Sequence, residues 1–387
     1  MTAILGVNWR PASLSGWGVF ATNLLLHLEV RGAVSPALLC PLVANDVIVD
    51  PVRRAFLLRV FERSDRLQAQ WRQAKGKALD FPVLLALGHD FVHETHFPAT
   101  DRLGMIFFEN PVFSKDGLAR ARSLRRIIAG SHWNARVLRQ LGLEHVDVVL
   151  QGIDHSLFCP GPSQKLFGER FVIFAGGKLE FRKGQDIVVA AYRAFHQRHP
   201  DSLLLTSWGS PFSKMEPNLQ ACPHVGTLPR RLPNGQLDVA GWLHACGLPE
   251  GSFLDMGLVP NMAMPPILRE CHAAVAVSRC EGGTNLVAME AMACAVPTIL
   301  SANTGHLDLI EEGNCFALRH QPMPQSVPDG IDPQGWGETS VEELLEALEA
   351  AYAHRTDALA RGQAGHRTLN GLAWSAQVRR LEEVALG

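Results

Sequence analysis

One acidic residue occurs in an otherwise apolar stretch of this sequence. Residues 280–301 read CEGGTNLVAMEAMACAVPTILS, and Glu290 is the single formally charged residue between Glu281 and Asp308. An ionised carboxylate is costly to bury unless it meets a hydrogen-bond donor or a cation. We therefore expect Glu290 to meet either a donor of the protein itself, as in a buried salt bridge, or a ligand such as the vicinal hydroxyls of a ribose.

The residues that precede Glu290 predict a turn suited to anions. The apolar run AAVAVS (273–278) predicts a strand, and a helix is expected to begin near Leu286 with Thr284 or Asn285 as its N-cap. Backbone N–H groups at such a turn lie at the positive end of the helix dipole, where they can bind phosphate or sugar hydroxyls. The candidate binding residues of this segment are Glu281, Gly282, Gly283, Thr284, Asn285 and Glu290.

A group of cations follows another predicted strand, RFVIFAGG (170–177). The sequence GGKLEFRKGQD places Lys178, Arg182 and Lys183 where this strand gives way to a helix. Ligands of open α/β sheets bind at the carboxyl ends of strands, so Lys178 and Lys183 are positioned to flank a diphosphate. A basic cluster on the protein surface is the alternative interpretation.

Several classes of chemistry lack support in the sequence. The glycines of SGWGVF (15–20) do not form the G-x-G-x-x-G fingerprint, which disfavours a nicotinamide-dependent dehydrogenase. No D-x-D motif occurs, so a metal-held diphosphate is not indicated. The eight cysteines form no C-x-x-C pair and no Cys/His cluster with zinc-like spacing. We expect no metal and no cofactor, and a reducing, cytoplasmic location.

The elements that must position these residues can be read from apolar periodicity. Short apolar runs alternate with longer amphipathic segments, which predicts strand and helix units around parallel sheets. The 387 residues exceed the ~250–300 at which a single core stops growing, so we expect two domains. A linker is expected at 161–168, a long loop at 321–339, and a capping box at Ser340 and Glu343 before a helix. The predicted strands are residues 4–9, 83–88, 104–108, 126–131, 146–150, 170–177, 202–208, 252–259, 273–278 and 297–301.

The net charge of −2 conceals an asymmetry between the two halves. Residues 1–160 contain 18 Lys and Arg against 14 Asp and Glu, and the remainder contains 18 against 24. Basic residues concentrate in two helix-like segments, 51–78 and 118–127. They predict either a solvated helix face or contact with an anionic partner, such as the lipid head groups of a membrane or a phosphorylated acceptor. Because the overall balance is not basic, nucleic acid is not an expected partner. No apolar run approaches the ~18 residues of a membrane span.

These motifs together resemble the GT-B glycosyltransferases, specifically retaining family 4. The resemblance rests on the early glycine turn, SHWNARVLRQLG followed by VVLQGIDHSLFCP, FAGGKLEFRKGQDI, and CEGGTNLVAMEAMACAVPTILSANTGHLDLI, and it extends over nearly the whole chain. It implies an α/β GT-B fold of two doubly wound Rossmann-like domains with an inter-domain cleft. The implied domains are residues 1–160 and 169–372, with a terminal helix at 373–387 that packs back on the first domain.

The resemblance also implies a function. It predicts a retaining, metal-independent glycosyltransferase that moves a sugar from a UDP- or GDP-linked donor to a glycan or lipid-linked acceptor. Glu290 resembles the family's ribose-binding glutamate, and Lys178 and Lys183 resemble its paired cations on the diphosphate. Gly16 and Gly18 match the first-domain glycines that approach the same phosphates.

The sequence departs from the family pattern at three places. The family spaces its two glutamates eight positions apart, whereas Glu281 and Glu290 are nine apart, which leaves the contact of Glu281 with the donor sugar open. Lys178 stands where the family has arginine. His89 matches a first-domain histidine, with His93 and His96 close by, and Glu109 ends another strand where relatives often carry histidine. A sugar-nucleotide epimerase and a binding module without turnover remain as alternatives.

Overall fold

The computed structural model describes residues 3–74, 77–94, 96–209 and 216–387. The chain divides into two compact units. The first comprises Met1–Gly152, Pro260–Met262 and Leu372–Gly387, and the second comprises Ile153–Val259 and Ala263–Gly371. Residues 75 and 76 of the basic segment 51–78 lie outside the described residues.

The first unit is built around one parallel sheet. Its strands are β1 (Ala3–Asn8), β2 (Val34–Leu38), β3 (Val83–Leu87), β4 (Arg102–Ile106), β5 (Arg126–Ala129) and β6 (Val146–Val148), in the order β2-β1-β3-β4-β5-β6. Its helices are α1 (Gly16–Arg31), α2 (Pro51–Gln73), α3 (Lys115–Arg122), α4 (His132–Gln140) and, at the end of the chain, α11 (Trp374–Leu386).

The second unit repeats this architecture. Its strands are β7 (Phe171–Gly176), β8 (Ser202–Ser207), β9 (Phe253–Asp255), β10 (Ala273–Ala276), β11 (Thr298–Ser301) and β12 (Phe316–Leu318), in the order β12-β11-β10-β7-β8-β9. Its helices are α5 (Gln185–Arg198), α6 (Val239–Ala245), α7 (Met264–Leu268), α8 (Leu286–Ala293), α9 (Val341–Ala353) and α10 (Arg355–Leu369). The strand order reverses between β7 and β10, and ligands of doubly wound sheets bind outside the carboxyl ends of strands at such a reversal.

The predicted strands are all present, and the doubly wound prediction is confirmed. Most have slightly shorter bounds, but β1 and β4 begin and end one and two residues earlier than predicted, and β9 has three residues where eight were predicted. Two edge strands were not predicted, β2 and β12. Pro36 lies inside β2, and proline argues against a strand interior because it cannot donate to the ladder. It is tolerated here because β2 is the edge of its sheet. Strand β12 has only three residues, and the apolar run that contains it, 315–318, is short.

The C-terminal helix α11 belongs to the first unit, where it packs on α1. The Trp374 and Phe20 rings meet edge to face with centroids 5.0 Å apart. Arg31 Nη2 lies 2.9 Å from Glu382 Oε2, whose side chain is almost fully buried. In the described part of the chain, no helix combines the length and apolar character needed to cross a bilayer.

The predicted linker is held by the second unit. The Glu270 carboxylate accepts hydrogen bonds from Ser163 Oγ at 2.8 Å and from the backbone N–H groups of Gln164 and Leu166. The division between units accordingly falls after Gly152, earlier in the chain than the expected boundary at 160.

Helix α9 begins as predicted at Ser340, whose Oγ accepts from the Glu343 N–H at 3.1 Å. The reciprocal bond of a capping box does not form, because Glu343 Oε1 instead accepts from the backbone N–H groups of Arg319 and His320. The carboxylate of Glu343 therefore holds the end of β12 against α9. The residues between these elements, 321–339, contain neither helix nor strand, as the sequence predicts.

Candidate functional site

The candidate site of the second unit lies where β7 and β10 end. After β7 the chain forms a short 3-10 helix, Phe181–Lys183, and turns into α5 at Gly184. Gly184 has a φ of 68°, and a Cβ at this position would lie 2.2 Å from the carbonyl oxygen of Val277, just after β10. Only glycine allows this approach. The turn that carries the predicted cations is thereby packed against the end of β10.

The cations of this turn meet Glu281. Lys183 Nζ lies 2.6 Å from Glu281 Oε1, and Arg182 Nη1 lies 3.1 Å from Glu281 Oε2. Arg182 Nη2 also pairs with Glu180 at 2.6 Å. These four charges balance, and all four side chains are at most 14% exposed. Lys178, half-buried at the end of β7, adds a further positive charge to the same edge of the sheet.

Glu281 is held in its ionised form. Burial by itself would raise its pKa, but the charges of Lys183 and Arg182 outweigh burial and lower the pKa to about 2. Ser278 Oγ donates to Oε1 of the same carboxylate at 2.6 Å. Although its spacing from Glu290 departs from the family pattern, Glu281 is the centre of a fully formed ionic cluster.

Asn285 connects this cluster to the start of α8. It is the N-cap in the left-handed conformation (φ 66°), and its Oδ1 accepts from the Ala288 N–H. Its Nδ2 donates to Glu281 Oε1 at 3.0 Å and to His306 Nε2 at 2.9 Å. Because His306 Nδ1 donates to the Ser301 carbonyl at 3.0 Å, Nε2 is the acceptor of a neutral imidazole. Burial keeps the pKa of His306 below its usual range despite the charge of Glu281.

The glycine-rich turn between Glu281 and α8 is closely packed. A Cβ on Gly305 would lie 1.8 Å from the carbonyl oxygen of Gly283, and the Gly305 N–H donates to the Glu281 carbonyl. Gly282 and Gly283 are both buried. Thr284 is also fully buried, and its hydroxyl donates to Met289 Sδ at 2.9 Å.

Glu290 lies on the second turn of α8 and is only 6% exposed. The buried arginine nearest in sequence, Arg279, does not pair with it. Both terminal nitrogens of Arg279 donate to the Asp186 carboxylate at 2.8 Å, and its Nε donates to Glu338. Arg279 is therefore part of a buried ionic cluster of this unit, with Asp186 and Glu338.

In the first unit, the predicted glycines open α1. Ser15 is the N-cap, and its Oγ accepts from the Gly18 N–H at 3.1 Å. Gly16 is exposed, whereas Gly18 is buried against Ala12, whose Cβ would lie 2.5 Å from a Cβ at position 18. Gly18 is thus required by close packing of its own unit, and its N–H is used by the helix cap.

His89 and Glu109 follow the neighbouring strands β3 and β4, so both lie at the carboxyl edge of the first sheet. The imidazole of His89 is exposed and stacks on the Phe113 ring with centroids 5.3 Å apart. Glu109 is half-buried. These residues belong to a different compact unit from the ionic cluster around Glu281.

Two residues of this site, His306 and Arg279, were not predicted from the sequence. His306 gave no signal of its own, because a single histidine after a strand has many ordinary roles. Arg279 did give one: it follows the apolar strand AAVAVS directly, and a buried guanidinium requires carboxylates. The sequence does not say which carboxylates these are, and the structure identifies them as Asp186 and Glu338.

The second unit matches a known family. Residues 169–331 match the family model described as Glycosyl transferases group 1, and this range contains Lys178, Lys183, Glu281 and Glu290. The GDP-mannose-dependent α-(1-6)-phosphatidylinositol monomannoside mannosyltransferase of Mycolicibacterium smegmatis is 26% identical over 257 residues. This match covers 63% of the present chain and 56% of the relative, so the chain spans little more than half of that protein's length.

Solved structures resemble both units. The sucrose-phosphate synthase of Thermosynechococcus elongatus gives a TM-score of 0.65 at 15% identity, covering 99% of this chain and 98% of the other. The Anabaena HepE structure in complex with UDP and glucose gives 0.63 at 14% identity, covering 99% of each chain. At such identities the likeness establishes the fold. The chain therefore has the fold of the GT-B glycosyltransferases, and the match to the group 1 family model lies within residues 169–331.

Proposed function

We propose that this protein is a retaining, family 4-like glycosyltransferase that takes its sugar from a nucleoside diphosphate sugar. One observation carries the proposal. At the reversal of the second sheet, the cationic turn of Arg182 and Lys183 meets the glycine-rich turn that opens α8, and the two are joined through Glu281 and Asn285. A diphosphate needs cations and backbone N–H groups at a helix N-terminus, and both are gathered there.

The roles follow from charge. Lys178 and Lys183 would neutralise the charge that develops on the departing diphosphate, which is the largest demand of sugar transfer. Glu290, on the second turn of α8, would accept hydrogen bonds from the ribose hydroxyls. In a retaining transfer the departing phosphate itself can accept the proton of the acceptor, so no protein nucleophile is required.

The remaining assignments belong to the same proposal. Gly282, Gly283, Thr284 and Asn285 would line the donor, with Glu281 holding Lys183 and Arg182 in place. In the first unit, Gly16 and Gly18 would approach the phosphates. His89 and Glu109, at the ends of adjacent strands, would face the acceptor.

The substrates named for the similar proteins suggest a chemical class for the donor and for the acceptor. The mycobacterial relative uses GDP-mannose and acts on a phosphatidylinositol mannoside, and the Anabaena protein was solved with UDP and UDP-glucose. We propose a GDP- or UDP-linked donor and a glycan or lipid-linked acceptor. The exposed face of α2, which carries Arg54, Leu58 and Arg59, would contact anionic lipid. Sedimentation with phosphatidylglycerol vesicles at low salt tests this contact, and absence of binding would remove it from the proposal.

Thermal-shift measurements against UDP, GDP, ADP and their sugars test the central proposal. A nucleotide at one hundred times its Kd should stabilise the protein by about 2.7 kcal/mol through mass action. Lys183→Ala should abolish the shift. Lys165→Ala is the matched control, because Lys165 is 72% exposed and pairs with the surface residue Glu169. Absence of a shift with every nucleotide in the wild-type protein would refute the proposal.

Measurement of turnover distinguishes a glycosyltransferase from a binding module and from an epimerase. A transferase should hydrolyse its donor slowly in the absence of acceptor, and Lys183→Ala should remove this activity. A binding module would bind nucleotide without releasing free sugar, and an epimerase would return a sugar nucleotide of altered configuration. Activity that persists in EDTA would support metal independence. Activity that EDTA abolishes and Mg²⁺ restores would contradict it.

A further inference from the structure

The long loop 321–339 returns to the candidate site at both of its ends. At one end, Gln321 Oε1 accepts from Asn303 Nδ2 at 2.7 Å, and Asn303 follows β11. At the other end, the Gly337 carbonyl accepts from the same Asn303 nitrogen at 3.3 Å. The Glu338 N–H donates to the Pro322 carbonyl at 2.8 Å and closes the loop on itself. The loop is therefore fixed at the carboxyl edge of the second sheet.

Trp336 of this loop contacts the cationic turn directly. Its ring is 6% exposed and stacks on Phe181, with centroids 6.4 Å apart and planes inclined by 26°. Phe181 is itself 2% exposed and is the first residue of the 3-10 helix that contains Arg182 and Lys183. Since these two cations follow Phe181 immediately, a displaced Phe181 would displace them.

Glu338 reaches the same turn through Arg279. The Arg279 side chain is fully buried, its Nε donates to Glu338, and its guanidinium lies 4.2 Å above the centroid of the Phe181 ring. Arg279 Nη1 donates to the Phe181 carbonyl at 2.7 Å, and the Arg279 N–H donates to the Arg182 carbonyl at 2.7 Å. The Phe181 ring is thus enclosed by Arg279 and Trp336, both of which depend on the loop.

The charges explain why the loop carries a carboxylate. Each of the three guanidinium nitrogens of Arg279 donates to a carboxylate. Nη1 and Nη2 donate to Asp186, and Nε donates to Glu338. Burial would lower the pKa of Arg279, but the two carboxylates raise it, so the guanidinium stays ionised. Without Glu338 a buried, charged N–H would lack its acceptor, which favours movement of Arg279 away from Phe181.

We propose that the loop 321–339 positions the cationic turn of Arg182 and Lys183. Trp336 and Glu338 are the positioning residues of this loop. The phosphate role of Lys183 rests on the proposed function. The loop fixes Phe181 from one side through Trp336 and from the other through Arg279. Lys183 is thereby held beside Glu281 in the geometry that receives the diphosphate.

The first test follows the turn in the free protein by hydrogen–deuterium exchange. The N–H groups of Lys183 and Gly184 donate to Glu180 and Phe181 carbonyls, so their exchange rates report the integrity of the 3-10 helix. Trp336→Ala and Glu338→Ala should accelerate exchange across residues 179–186 at least tenfold. Trp336→Phe, which keeps an aromatic ring, and Met323→Ala, at a 54% exposed position of the same loop, should exchange like the wild type.

The second test compares a nucleoside diphosphate with the corresponding monophosphate. Loss of one charge-assisted contact is worth about a tenfold change in Kd. Trp336→Ala and Glu338→Ala should weaken binding of GDP or UDP about tenfold while leaving GMP or UMP within about threefold. A merely structural role would weaken both nucleotides alike. Glu338→Gln, which keeps an acceptor for Arg279 Nε, should restore most of the diphosphate affinity.

The outcomes are distinguishable. Unchanged exchange at 179–186 in both alanine variants would overturn the positioning role. If the alanine variants do not fold, Trp336→Leu takes their place in the exchange experiment, and unchanged exchange in this variant would again overturn the positioning role. If the wild-type protein binds no nucleotide, the proposed function fails, while the exchange rates of the free protein still decide whether the loop fixes the turn.

Discussion

Replacement of Glu281 by glutamine tests the ionic cluster at the centre of the candidate site. The carboxylate is 5% exposed and is surrounded by Lys183, Arg182, Ser278 and Asn285. Glutamine keeps the shape and one acceptor oxygen but removes the charge. Two buried cations then lose their shared partner, and leaving a buried charge uncompensated is among the costliest changes a core can undergo.

The pKa of Glu281 gives the magnitude. In the folded protein it is about 2, against 4.5 for an unperturbed glutamate. A carboxyl whose pKa is lowered by folding stabilises the protein above its unfolded pKa and loses this effect as the pH falls through its folded pKa. The difference corresponds to about 3 kcal/mol at pH 7. The stabilisation contributed by Glu281 should decline to about 2 kcal/mol at pH 3.5 and disappear near pH 1.

Urea unfolding of the second unit at pH 7 and pH 3.5 measures this effect. We expect Glu281→Gln to be less stable than wild type by about 3 kcal/mol at pH 7, with a smaller difference at pH 3.5. Glu349→Gln is the control, since Glu349 also has two basic neighbours but is 30% exposed, and it should cost less than about 1 kcal/mol. A Glu281→Gln protein as stable as wild type, or a difference independent of pH, would refute the reasoning.

Three further substitutions and one control test the backbone and the helix caps. Gly184→Ala would place a Cβ 2.2 Å from the Val277 carbonyl oxygen at φ 68°, and should lower stability by more than about 2 kcal/mol in thermal unfolding. Gly251→Ala is the control, because Gly251 has a φ of 75° and an added Cβ would meet no atom within 4 Å; it should lower stability by only about 1 kcal/mol. Equal losses of stability in the two variants would contradict the predicted clash with the Val277 carbonyl oxygen. Asn285→Ala removes a cap and two side-chain hydrogen bonds, so urea unfolding should show a loss of about 2 kcal/mol; a loss below 0.5 would exclude this role. Ser340→Ala should cost about 1 kcal/mol, and no change in melting temperature would show that the cap is dispensable.

Much of the fold could be predicted because strand and helix patterns are local. The helix near Leu286 and the strands on either side were predicted from residue types and spacing, and they are present. The cap was predicted at Thr284 or Asn285, and the structure has it at Asn285. Two edge strands escaped prediction: β2 contains Pro36, and β12 has only three residues in a short apolar run, whereas the edge strands β6 and β9 were predicted from longer apolar runs.

The candidate site could be predicted only in part. Lys183, Glu281 and Asn285 were identified by their motifs, and the structure joins them in one cluster. The identity of their partners was not predictable, because Lys183 and Glu281 are separated by 98 positions and meet only through the pairing of β7 with β10. The same holds for His306, which reaches Asn285 only because β11 lies beside β10.

The sequence by itself determined the alternation of strands and helices, the glycine turns and the types of charged residue available for chemistry, because these depend on near neighbours in the chain. Only the tertiary structure decided which charges pair. Glu281 pairs with Lys183 and Arg182, and Arg279 pairs with Asp186 and Glu338. Trp336 of the loop 321–339 packs on Phe181. Charge pairing depends on distances of a few ångströms between segments far apart in the chain, and packing of the sheet sets those distances.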